Sequence, residues 1–269
     1  MMRPALAAVL LALILLGPAA GQESPFGLPK PMGGPIVGLD GRVRTGLDAH
    51  PVPSPWTSAF DFGLSGSQGN TETLKLRAGF DVRCDSPDDF FLVNALYILN
   101  MNQEQAIENK AFLLTRNELP IESGFAWYVQ AQLEYDEFRT VYFRAASHSG
   151  VSFTAVKDAD QVFKLRAGAG TAYELGQPTP GQWVPEGQAG IDYEYKLTAR
   201  TRFTSSADWY PDLQDLGHYR VRVRVSFDIM IDPELDLLLR IGAFDRYDSQ
   251  SYGSKRNDLD YFATMQFRF

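Results

Sequence analysis

The stretch LDYFATMQFRF, Leu259 to Phe269, alternates to its last residue. Leu259, Tyr261, Ala263, Met265, Phe267 and Phe269 share one face of an extended strand. Asp258, Asp260, Thr264, Gln266 and Arg268 share the other, with Phe262 the one apolar intruder among them. In a water-soluble fold, such a strand at a chain end leaves a frayed apolar edge that invites aggregation. In a closed transmembrane barrel lipid covers the apolar face and the first strand pairs the edge. The stretch therefore predicts an all-β fold, a closed antiparallel transmembrane β-barrel.

The same period recurs upstream. Tyr219, Val221, Val223, Val225, Phe227 and Ile229 alternate with Arg220, Arg222, Arg224, Ser226 and Asp228. Phe125, Trp127, Val129, Ala131, Leu133 and Tyr135 stand against Gln130, Gln132 and Glu134, and Phe163, Leu165, Ala167 and Ala169 against Lys164 and Arg166. Counting such segments from Trp56 gives about 12 strands, an even number that returns both ends to one side of the membrane. Phe90–Asn102 and Lys110–Leu119 are less tidy: both faces of Phe90–Leu99 are apolar, and no register is assigned there. A soluble β-sandwich or lipocalin-like barrel in the periplasm is the alternative for such a pattern. The closely spaced charges of both signs on the polar faces suit a hydrated lumen better than a solvated surface.

The N-terminus agrees. Arg3, the apolar run Ala5–Leu16, the Gly17-Pro18 break and the small residues Ala19, Ala20 and Gly21 read as a secretory signal peptide over 1–21. That run is shorter than the roughly 20 residues a spanning helix needs. Residues 22–55 are rich in Pro and Gly and aperiodic, as expected of a periplasmic lead-in, largely disordered, before a barrel over 56–269. Charged residues at 22% and a mean hydropathy of −0.20 are compatible with a barrel, in which only alternate residues meet lipid. The net charge of −8 argues against nucleic acid as a partner, and the lone Cys84 rules out an internal disulfide framework.

With a periplasmic N-terminus, the connections on the outer side (Gly69-Asn70, Gln103–Asn109, Asp136–Thr140, Leu175–Trp183, Pro211–Gly217, Tyr247–Asn257) are on the whole longer than those on the inner side. The same topology places Trp56, Trp127, Tyr195, Phe227 and Phe269 in an inner aromatic girdle and Tyr135, Trp209, Tyr219 and Tyr261 in an outer one. The expected location is the cell outer membrane. The expected partners are outer membrane lipid and the barrel-assembly machinery, whose recognition signal the terminal strand ending at Phe269 resembles.

Phe60 to Thr73, FDFGLSGSQGNTET, resembles the opening strand-turn-strand of the salt-induced outer membrane protein family, also called domain of unknown function 481 (DUF481), with YdiY-like members. Its Gly-Asn-Thr turn falls at Gly69, Asn70 and Thr71. Leu133–Arg139, and the Gly168 and Gly170 pair before Tyr173, are similar to further segments of that family. The resemblance implies an outer membrane barrel linked to salt or osmotic response, and it brings no catalytic residues.

Candidate functional residues fall into two groups. Arg220, Arg222, Arg224, Arg166, Asp192 and Glu194 are expected to face the lumen, where a row of Arg favours anions unless inward acids pair with it. Asp208, Asp212 and His218 would form an outer rim able to support an outer membrane hydrolase or hold a cation. A solvated acidic loop is the favoured reading of that rim. His148, between Ser147 and Ser149, is expected in the lumen as a hydrogen-bonded filler, because its Ser neighbours point to the opposite face. No His/Cys spacing suggests zinc, and Gly168 and Gly170 lie within a strand, where they relieve crowding. No cofactor or metal is expected, and the favoured role is non-enzymatic: a structural barrel or a path for passive permeation of small solutes.

Overall fold

The computed structural model describes residues 55–67, 72–86, 89–176, 181–250 and 255–269. The signal peptide expected over 1–21, the lead-in expected over 22–55 except its last residue, and the turn expected at Gly69–Thr71 lie outside the described residues. Twelve strands run in chain order: β1 Trp56–Ser67, β2 Thr73–Asp85, β3 Phe90–Asn102, β4 Gln105–Pro120, β5 Phe125–Asp136, β6 Val141–Lys157, β7 Gln161–Gly176, β8 Gln182–Thr198, β9 Thr201–Pro211, β10 Tyr219–Asp232, β11 Leu237–Asp248 and β12 Asn257–Arg268. Each pairs antiparallel with its sequence neighbours, and β1 with β12 closes the barrel. The start of β1 and the end of β12 therefore lie at one end of the cylinder, the termini end. The longest described connection, 212–218, lies at the opposite, loop end.

The alternation assigns the faces. Phe60, Phe62, Val129, Val151, Leu165, Ile191, Phe227, Ile241 and Met265 are exposed on the outer surface, while Asp61, Gln130, Arg144, Arg166, Glu186 and Gln266 on the intervening positions are buried inside. An apolar exterior around a polar interior inverts a soluble core and is the build of an outer membrane barrel. Ring pairs cluster at two levels: Trp56 with Phe91, Phe125 with Phe153 and Phe203 with Phe227 toward the termini end, Tyr173 with Trp183 and Tyr219 with Tyr247 toward the loop end.

Two differences from the sequence reading have physical causes. The connection expected over Gln103–Asn109 is strand, because Gln103 and Glu104 adopt φ of 48° and 61° and make a two-residue turn. Positive φ at both central residues matches the right-handed twist of a hairpin. A register shift between Asn100 and Met101 absorbs the extra residue. The doubly apolar Phe90–Leu99 is explained by an apolar patch inside the barrel: Leu92, Leu96 and Ile98 face inward with Phe112, Leu114 and Phe244. Phe262 joins this lining with the Arg77 guanidinium 3.8 Å above its ring. Cys84 is a buried free thiol.

The closing seam is short. Ala59–Phe62 pair with Met265–Arg268, and Ser58 and Phe269 extend the ladder by exchanging N–H···O bonds of 3.0 and 2.9 Å. β1 and β2, by contrast, pair along the whole of Trp56–Ser67. Because Ser58 and Phe269 exchange both bonds, Ala59 and Arg268 form the next, non-hydrogen-bonded pair, whose Cα atoms approach to about 4.5 Å in antiparallel sheets. In a Cys84→Ser background, Ala59→Cys with Arg268→Cys is expected to form an intrachain disulfide on mild oxidation, read as a mobility shift on non-reducing gels. Absence of the cross-link in folded protein would place the seam elsewhere.

Candidate functional site

The inward positions make three layers. At the loop end Arg144 and Arg220 converge on Glu174 and Glu186: Arg144 Nη2 donates to Glu186, and Arg220 Nη1 donates to Glu174 and, at 3.2 Å, to Glu186. Arg220 Nε also bonds Asp248 at 2.9 Å, and Arg222 Nη2 reaches Glu134 at 2.9 Å. Beside them Arg246 and Lys110 hold Asp258 and Asp260. Below lies a layer with almost no exposure. The Tyr128 hydroxyl donates to Gln188, Gln130 Nε2 donates to the Tyr210 hydroxyl, and His148, 1% exposed, sits 3.2 Å from Glu186 with its ring against Tyr210. Arg166 spans Asp192 (2.9 Å) and Asp208 (2.8 Å).

Local sequence makes room for this layer. A Cβ at Gly190 would stand 2.5 Å from Asp208 Oδ1 and 2.9 Å from the Arg166 guanidinium, so only glycine lets that pair form. Gly168 leaves space in the same way for the Tyr128 hydroxyl. Such charges are stable in a low-dielectric interior only when paired and hydrogen-bonded, and the geometry supplies both. The result is a plug. Cavities at the loop mouth and mid-lumen measure about 50, 60 and 20 Å³, room for no more than a few waters. At the termini end the lumen opens into a vestibule of about 750 Å³.

The family model described as "Protein of unknown function, DUF481" matches residues 60–269, nearly the whole barrel. The chain belongs to the DUF481 family. Among curated proteins no relative matches it. Solved structures similar to this DUF481 barrel include the NanC porin (13% identity, TM-score 0.43, covering 79% of this chain and 96% of that one). The KdgM porin in complex with disordered oligogalacturonate aligns at 10% identity and TM-score 0.39, covering 80% and 99%. The translocator domain of the autotransporter NalP from Neisseria meningitidis aligns at 10% and 0.36, covering 80% and 86%.

Within this DUF481 barrel the lumen candidates take distinct places. Arg220 and Arg222 belong to the plug, and Arg166 and Asp192 to the buried layer, with Arg116 Nη2 also 3.0 Å from Asp192. Glu194 lies in the vestibule wall, paired with Arg83 at 2.8 Å and Arg202 at 3.3 Å. Arg224 makes no carboxylate pair among the described residues; it donates to Asn94 Oδ1 at 3.3 Å and lies over the Phe112 and Phe244 rings. The rim grouping holds only in part: the Asp212 N–H donates to the His218 carbonyl at 2.9 Å. Asp208 is not at the rim: strand alternation turns it inward, onto Arg166. Asp212 accepts the Gln214 backbone N–H. His218 stays at the rim, 3.5 Å from Asp215 and 2.6 Å from Gln250 Nε2. No group of three or more His, Cys, Asp or Glu among the described residues is placed to hold a metal ion. Glu174, Glu186, Tyr128 and Tyr210 were missed, although extending the β8 alternation from Asp192 back to Glu186 signals one of them.

Removing one member of a buried ion pair costs about 3–5 kcal/mol, because its partner stays buried and charged. Arg166→Met leaves Asp208 facing that loss and leaves Asp192 with Arg116 alone. It is expected to lower the temperature at which refolded protein loses its folded gel mobility far more than the exposed-turn variant Asp158→Asn does.

Proposed function

We propose that the protein is a non-enzymatic outer membrane β-barrel whose lumen is closed by its own ion pairs, so that it serves as a structural or solute-holding barrel with passive permeation gated by the plug. The observation that carries this reading is the contrast between a 750 Å³ vestibule at one end and cavities of 60 Å³ or less above it. Export by a cleaved signal peptide over 1–21 and insertion by the barrel-assembly machinery complete the proposal, with the termini end in the periplasm. The salt or osmotic role implied by the family resemblance enters through the plug: added salt screens ion pairs that water reaches and leaves dry ones largely intact.

Two experiments test this. Refolded protein in planar bilayers is expected to show no stable conductance steps, whereas Arg144→Ala with Glu186→Ala, which removes both charges of one plug pair together, is expected to conduct. Stable steps from the unaltered protein would overturn the closed lumen. Deleting Phe269 is expected to lower assembly in cells several-fold, measured as heat-modifiable protein in the outer membrane fraction, while the same variant still refolds in detergent. Normal cellular assembly would remove Phe269 as the recognition signal.

A further inference from the structure

The vestibule is charged against the sign of the chain. Nine Lys or Arg side chains line it against five carboxylates, in a protein of net charge −8. The pairing agrees with that excess. Asp81 and Asp228 are held by Arg240 at 2.5 and 2.7 Å, Asp85 by Arg83 at 2.9 Å, Glu194 by Arg83 and Arg202, and Asp192 by Arg116 and Arg166. All five acids are thus occupied, and four cations (Lys196, Arg200, Arg224 and Arg268) have no carboxylate within ion-pair distance among the described residues.

Their placement is graded along the axis. Lys196, whose Nζ donates to the Ala159 carbonyl at 2.8 Å, lies near the end of β8, Arg200 in the β8–β9 turn and Arg268 at the end of β12, around the mouth. Arg224 lies deeper, where the vestibule meets the plug; it lines both the vestibule and the small mid-lumen cavity. Two rings and one amide oxygen touch Arg224, and Asp81, Asp208 and Asp61 act on its charge only from beyond ion-pair distance. A low-dielectric wall with excess charge of one sign focuses field into the cavity and draws in counter-ions.

We propose that the vestibule is a binding site for a small, water-soluble organic anion bearing two or more carboxylates or phosphates, entering from the termini end and stopping on Arg224. The volume is that of a small-molecule pocket. A multivalent anion matches the geometry because one charged group meets the Arg224 fork while another stays near the mouth cations. The proposal rests on the closed-lumen reading, since the plug makes the cavity a site with a floor and not a passage.

The test is titration calorimetry on refolded protein at low ionic strength with citrate and with pyrophosphate, and with sucrose as the uncharged control. Saturable one-to-one binding of citrate or pyrophosphate, absent with sucrose, is expected. Arg224→Gln should weaken it about tenfold, the scale of one charge-assisted bidentate contact. Lys196→Gln with Arg200→Gln should weaken it about threefold and flatten its salt dependence, as mouth charges that steer an anion do. Lys255→Gln at the loop mouth should change nothing. The double variant sits at an exposed turn, so the test survives if Arg224→Gln fails to fold. No saturable binding, or equal affinity in every variant, overturns the proposal. Conductance measured in parallel separates the two readings: a conducting protein that binds overturns the closed lumen alone, and a silent one that does not bind overturns the vestibule site alone.

Discussion

Backbone N–H and C=O groups find no water in hydrocarbon, and each one left unpaired there costs several kcal/mol. That constraint organises the whole molecule. Only a sheet that returns to its first strand satisfies it, so the ladder of Ser58–Phe62 with Met265–Phe269 carries more than its length suggests. Closure also fixes which way every side chain points. Once the sheet is a cylinder, period-two alternation divides the chain into a lipid face and a lumen face, and a one-residue slip in any strand would exchange them. Phe267 and Phe269 lie at this seam.

The lumen obeys a second form of the same rule. Charges inside a closed cylinder are far from bulk water, so each needs a partner, and partners on different strands tie the wall together across the axis. Arg222 of β10 reaches Glu134 of β5, and Arg166 of β7 joins Asp192 of β8 to Asp208 of β9. These contacts add little net stability over an apolar core. They do specify register, because a shifted strand would bury an unpaired charge. Glycines on the same faces, at Gly168 and Gly190, let bulky partners meet.

Legibility in the sequence followed from how many constraints a residue obeys. β10 and β12 each have one lipid face and one polar face, and both were readable to the residue. β3 was not, since its lumen face is also apolar: Leu92, Leu96 and Ile98 line the interior with Phe112 of adjacent β4 and Phe244 of distant β11, and proximity to a distant strand leaves no periodic trace. The Gln103-Glu104 turn was hidden for a different reason. Two residues without Gly or Asn adopt positive φ there, so turn chemistry gave no signal. Among candidate residues, inward direction followed from alternation, but partnership did not. Asp208 read as rim because it is near His218 in sequence, whereas in space it belongs to Arg166.

The division of the lumen follows from where opposite charges meet. Glu174 and Glu186, on β7 and β8, bring two carboxylates to the loop end, where Arg144 and Arg220 meet them and the cylinder fills. At the termini end the same three-Arg row of β10 contributes only Arg224, which lies over Phe244 of adjacent β11 and meets Phe112 and Asn94 from across the barrel. The acids of that half are already shared among Arg83, Arg116, Arg166, Arg202 and Arg240. One face of alternating arginines thus yields two opposite outcomes. Where carboxylates answer it, side chains fill the lumen; where none among the described residues lies within ion-pair distance, as at Arg224, the lumen stays wide.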